Sequence, residues 1–195
     1  MCCELERIVP CDIGISLKER EEVIYHLNRL LSDEFVFYAK ALKFHWNIKG
    51  EFFGPLHALF EKVYARRSEI IDLLAERVQA IGGFPFGTLT EFLKNTRLKE
   101  QPGENECEGD MLLELTTDLQ TIIKHMREDA QKIDKVDPVT SNLLLSVIEG
   151  HEKDAWMLRS HLECIVCEVS LTRDGDHRDG KHVDEKPKKR KTAKK

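Results

Sequence analysis

Apolar residues recur at three- and four-residue steps over four long stretches of the chain, with polar punctuation between them. From Leu17 to Trp46 the stripe is Ile24, Leu27, Leu31, Phe35, Tyr38 and Leu42, the pattern of an amphipathic helix. Asn47 and Gly50 then supply stop signals. A second helix is predicted from Pro55, a residue suited to a first turn. It carries Leu56, Phe60, Val63, Ile70, Leu74, Val78 and Ile81 and ends at Gly82-Gly83. Thr88 to Leu93 reads as one or two helical turns, and the polar residues 95–108, with Pro102 and Gly103, read as a loop. The third helix is predicted over Asp110 to Ile133, on Leu112, Leu115, Leu119, Ile122 and Ile123. Asp137-Pro138 breaks the chain. The fourth helix runs from Val139 to Val169, on Leu143, Leu144, Val147, Trp156, Leu158 and Leu162. After Ser170 the periodicity is lost. Four such helices with almost no alternating pattern predict an all-α four-helix bundle over residues 17–169. A short helix lies in its long central connection. Residues 1–16 are expected to be a flexible arm and residues 170–195 a disordered, Lys-rich tail.

Composition narrows this picture. Hydrophobic residues make up 41% and charged residues 33% of 195, which suits a helical domain with a wet surface. No stretch approaches the roughly 20 uncharged apolar residues that span a bilayer. The start, Met-Cys-Cys-Glu-Leu-Glu-Arg, lacks a secretory signal's basic and apolar regions. A cytoplasmic protein is expected, and its six cysteines are then expected to be thiols. Cys164 and Cys167 form a C-x-x-C without a second pair at zinc-site spacing. The net charge of −5 hides an asymmetry. Residues 181–195 hold eight basic side chains and two acids, a surplus of six positive charges, which leaves the first 180 residues at −11.

The second helix holds the candidate chemistry. His57 and Glu61 are four residues apart, and so are Asp72 and Glu76. At about 100° per residue they point at about 0°, 40°, 60° and 100°, so all four share one face. Imidazoles and carboxylates are ligand types that suit iron or zinc. The two pairs are centred about 22 Å apart along the axis, too far to share one ion at bond lengths of about 2 Å. Two copies of the helix crossing antiparallel about a two-fold axis would instead set His57 and Glu61 of one chain against Asp72 and Glu76 of the other. His45, at the end of the first helix, could join the His57 pair. An ordinary solvated face, with Glu76-Arg77 as a surface pair, has the same spacing.

The segments His45-Trp46-Asn47-Ile48-Lys49-Gly50, Leu56-His57, Asp72-Leu73-Leu74-Ala75-Glu76-Arg77 and Ala80-Ile81-Gly82-Gly83 resemble the Dps family of ferritin-like miniferritins. Phe84-Pro85-Phe86-Gly87-Thr88-Leu89-Thr90-Glu91-Phe92-Leu93 resembles that family's short connecting helix, and the match runs over roughly residues 20–165. The resemblance implies a hollow homododecamer built from dimers, with a ferroxidase centre for two iron ions at each dimer interface. It implies Fe(II) oxidised, preferably by hydrogen peroxide, ferric mineral stored inside, and DNA protected. His45, His57, Asp72 and Glu76 match the family's ligand pattern, while Glu61 stands where the family usually has aspartate. Trp46 adjoins the site, as a trap for an oxidising equivalent or as an interface aromatic. Asp134 and Asp137 fall where the family builds a negative pore. N-capping of the fourth helix is the other role open to Asp137. A ferritin-type site within one bundle would need Glu-x-x-His on two helices. Glu152 follows His151, so that order is not met.

The tail carries Lys186, Lys188, Lys189, Arg190, Lys191, Lys194 and Lys195. Phosphate neutralisation by such a tail gives salt-dependent DNA affinity, and twelve copies would multiply it. Binding would be sequence-independent and the protein nucleoid-associated. The alternative function is a DNA-compacting cage with weakened ferroxidase activity.

Overall fold

The computed structural model describes residues 11–103 and 107–175, with side chains to residue 162. Five helices follow in order: α1 Leu17–Asn47, α2 Phe53–Ala80, α3 Leu89–Asn95, α4 Glu108–Ile133 and α5 Pro138–Gly175. The long helices form an all-α four-helix bundle. α1 packs along α2 and α4 along α5, and α1 also meets α4 and α3. Ser16 starts α1 through a reciprocal capping box with Glu19, and Thr88 starts α3 in the same way with Glu91. α2 begins two residues before Pro55. Proline is tolerated there because the first helical N–H groups have no intrahelical acceptor. α5 continues to Gly175, past the predicted end at Val169, since propagating an existing helix adds one hydrogen bond per residue fixed.

The core confirms the predicted stripes of α2 and α4 residue by residue. On α1 the predicted Leu27 and Leu31 are buried, and Ile24 and Phe35 pack at the margin of the core, but beyond Leu31 the stripe is rotated, with Phe37, Ala41 and Phe44 facing the interior. Trp156, expected in the α5 stripe, is 59% exposed. The turn after α2 depends on glycine. Gly82 has φ +79°, and a Cβ on Gly83 would lie 2.7 Å from Ile24 Cδ1.

At mid-bundle the α1 stripe is interrupted by Glu34, which is fully buried. Arg67 of α2 and His151 of α5 are also fully buried beside it, and Asp154 of α5 is 4% exposed. Arg67 is ion-paired with Asp154 and hydrogen-bonded to His151, and His151 is bonded to Glu34. Burial alone would raise the Glu34 carboxyl pKa. The charges and hydrogen bonds of His151 and Arg67 outweigh burial and hold it below the ordinary value.

A second polar network fastens the α3–α4 connection. Arg97 pairs with Asp33 of α1 and Asp129 of α4, and Thr96 Oγ1 donates to Asp33 at 2.9 Å. Among the described residues, no helix is long and apolar enough to cross a membrane.

Candidate metal centre

The end of α1 and the first turns of α2 hold each other's histidines. His45 Nδ1 lies 2.9 Å from the carbonyl of His57, and His57 Nδ1 lies 3.0 Å from the carbonyl of His45. A carbonyl can only accept, so each Nδ1 carries the proton and donates it. In its neutral form a ring held this way keeps its lone pair on Nε2, the form in which imidazole ligates a metal. The rings stack with centroids 3.8 Å apart and an interplanar angle of 24°. Tyr64 meets His45 edge-on at 5.2 Å, and Phe53 leans on His57 at 5.0 Å. Neither aromatic was singled out from the sequence. The available signal was helical spacing, because Phe53 and Tyr64 lie one turn before and two turns after His57 on the same face.

Glu61, Asp72 and Glu76 are exposed along α2. Among the described residues none of the three is ion-paired. The surface-pair reading of Glu76-Arg77 meets a competitor, since Arg77 binds Thr140 Oγ1 at 2.7 Å and Asp137 at 2.8 Å instead. Within one chain no three His, Cys, Asp or Glu side chains among the described residues are grouped to hold an ion. His45 and His57 are brought together, whereas Asp72 and Glu76 lie well along the same helix, as their spacing requires. Trp46 is 70% exposed beside the pair, with Phe53 and Leu73 also exposed.

Of the two expected pore acids, Asp134 is exposed at the end of α4. Asp137 is only 2% exposed and is engaged within the chain. It accepts from the Thr140 backbone N–H at 3.1 Å, capping α5, and pairs with Arg77. Burial would raise its carboxyl, but the Thr140 hydroxyl and Arg77 outweigh that and hold it below the ordinary value. Capping is the role the geometry gives Asp137. The tail lysines and Arg190 lie outside the described residues, as do the side chains of Cys164 and Cys167.

Comparison with known proteins agrees with this architecture. The ferritin-like domain family matches residues 24–166. A low temperature-induced protein of Nostoc sp. is 36% identical over 78% of this chain and 86% of its own length. DNA protection during starvation protein 2 of Bacillus anthracis is 37% identical over 73% of this chain and 97% of its own. The solved Dps protein of Vibrio cholerae O1, a ferritin-like diiron-carboxylate protein, superposes with a TM-score of 0.73 at 30% identity. It covers 77% of this chain and 94% of that one. The chain belongs to the Dps family of ferritin-like proteins.

Proposed function

We propose that the protein is a miniferritin that oxidises Fe(II) at two equivalent centres across a dimer, and stores the ferric product in the cavity of a dodecamer. Iron is the substrate. His45 and His57 of one chain, with Glu61, would meet Asp72 and Glu76 of the partner. The observation that carries this reading is the reciprocal bonding of the two histidines, which engages both Nδ1 atoms and leaves each Nε2 out of those bonds, next to a helix whose Glu61, Asp72 and Glu76 are exposed. Backbone carbonyls hold the tautomers, so the ligands are preorganised before iron arrives. Glu61 would serve where aspartate is usual in the family, its extra methylene changing reach but keeping the charge.

Two Fe(II) held together can each release one electron to a single peroxide. Its O–O bond takes both electrons, and with two protons it becomes two waters. Paired delivery avoids the one-electron step that frees hydroxyl radical. Trp46, beside the pair, could trap a stray oxidising equivalent. The expected result is about two Fe(II) oxidised per peroxide with little spin-trapped radical, because proximity makes the second transfer effectively intramolecular. A one-to-one ratio with abundant radical would refute the centre. Asp134 would help draw Fe(II) towards the cavity by its field.

The basic tail supports non-specific DNA binding, hence DNA protection in a cytoplasmic, nucleoid-associated protein. Lys186, Lys188, Lys189, Arg190, Lys191, Lys194 and Lys195 would neutralise phosphates, and repetition over the assembly would multiply the effect. Deleting residues 181–195 should abolish gel retardation of duplex DNA at low salt while leaving Fe(II) oxidation intact. Unchanged retardation would remove the tail from this role.

A further inference from the structure

The aromatic rings at the corner between α1 and α2 continue past the two histidines. Tyr38 and His45 lie seven residues apart on α1, and His57 and Tyr64 lie seven apart on α2. Each pair therefore shares one face of its helix, two turns apart. Across the boundary the rings alternate between the helices. His45 stacks on His57 at 3.8 Å, Tyr64 meets His45 edge-on at 5.2 Å, and Tyr38 meets Tyr64 edge-on at 6.1 Å. Among the described residues, the contacts beyond Tyr38 reach only Phe35, at 6.1 Å, and then Phe92 of α3. Trp46 makes no ring contact among them. Tyr25, the third tyrosine of the chain, meets His26 and not this series.

Electron transfer weakens steeply with distance, so a series of touching rings carries charge better than one long step. A phenol is far easier to oxidise than a phenyl ring, because it can shed its hydroxyl proton. The redox-active part of the series is therefore Tyr64 and Tyr38, and the path ends before Phe35. Both tyrosines are half-buried, and no described residue hydrogen-bonds to either hydroxyl, so their protons exchange with solvent.

We propose that Tyr64, backed by Tyr38, is an electron reserve for a centre that holds only one Fe(II). The inference rests on the intersubunit ferroxidase reading. Reduction of peroxide to water takes two electrons, and a half-filled centre has one to give. Tyr64 supplies the other. Fe(II), the phenol, hydrogen peroxide and one proton become Fe(III), a tyrosyl radical and two waters. The O–O bond breaks by a two-electron reduction, and no hydroxyl radical is released. Tyr38 then passes an electron and a proton to Tyr64, which moves the radical one ring further from the iron. A later Fe(II) gives one electron to Tyr38, which takes up a proton, so the overall ratio stays at two Fe(II) per peroxide.

Assembled full-length protein, loaded without oxygen at one Fe(II) per centre, is mixed with hydrogen peroxide and freeze-quenched for electron paramagnetic resonance. The expected product is a tyrosyl signal, narrowed by ring-deuterated tyrosine, with little spin-trapped hydroxyl radical. Tyr64→Phe keeps a ring against His45 but has no hydroxyl. It should lose the signal and release spin-trapped hydroxyl radical in its place. Tyr38→Phe should hold the radical on Tyr64, with a different splitting pattern, because splitting follows the torsion of each ring. Tyr25→Phe should change nothing. A signal that survives Tyr64→Phe, one that depends on Tyr25, or an indole radical in its place overturns the proposal. So does the absence of a tyrosyl signal in a protein that oxidises Fe(II) when loaded at two ions per centre. Failure to oxidise Fe(II) even at that loading overturns the ferroxidase reading itself, and this inference with it.

Discussion

Assemblies of His57→Ala subunits alone, or of Asp72→Ala subunits alone, should lose peroxide-dependent Fe(II) oxidation by at least about tenfold. The ligands are first-order contributors to metal affinity, and even outer partners cost about 10–100-fold when removed. The informative result comes from mixing. In a dimer of one chain of each kind, one centre loses both substituted ligands and the other keeps its full set, by the symmetry of an isologous contact. With random pairing roughly a quarter of all centres should be intact, so the mixture should regain roughly a quarter of the wild-type initial rate. No within-chain site can produce this recovery. A co-refolded mixture that remains as inactive as its parents would sink the shared centre, provided mass spectrometry shows mixed dimers.

The second large effect concerns stability. Replacing Glu34 or Asp154 with alanine removes one of the two carboxylates that balance buried Arg67 and leaves the network short of negative charge. Loss of one partner in such a network costs roughly 3–5 kcal/mol. Denaturant unfolding at a fixed subunit concentration should show that drop. Replacing Glu34, Arg67, His151 and Asp154 together with apolar residues of similar volume should cost far less, because no orphan charge remains. Equal losses in the single and fourfold variants would show that packing, not charge balance, dominates. The pH dependence has a definite sign. The Glu34 carboxyl is held below its ordinary value in the folded chain. Its contribution is therefore present above the unfolded carboxylate pKa and is lost as pH falls through the folded one. Wild type should lose more stability on acidification than the fourfold variant does.

The bundle was legible because Leu, Ile, Val and Phe keep helical period through α2 and α4, and period alone decides which face is buried. The shared face of His57, Glu61, Asp72 and Glu76 was legible too, since four residues on one helix have fixed relative angles. Glu34, Arg67, His151 and Asp154 were not, because a charged residue inside a stripe reads as a break in it. Only tertiary placement shows that the breaks on three helices meet one another. For the same reason the α1 stripe was drawn through Phe35 and Tyr38 instead of Glu34 and Phe37. Asp137 shows the other limit. Its position before α5 allowed both a cap and a pore acid, and only the Thr140 and Arg77 contacts favour the cap.

The crossed bonds between His45 and His57 make each residue the other's anchor. Each bond uses a carbonyl, which any replacement residue would still carry. A substitution at 45 therefore leaves the acceptor for His57 in place, while withdrawing the ring stacked on it. The two positions can drift in sequence one at a time without scrambling the proton placement of the survivor. If the pair ligates iron as proposed, a descendant that lost one histidine would keep a half-site richer in carboxylate oxygen, suited to a harder ion, so the corner between α1 and α2 would be a place where metal preference changes by single steps.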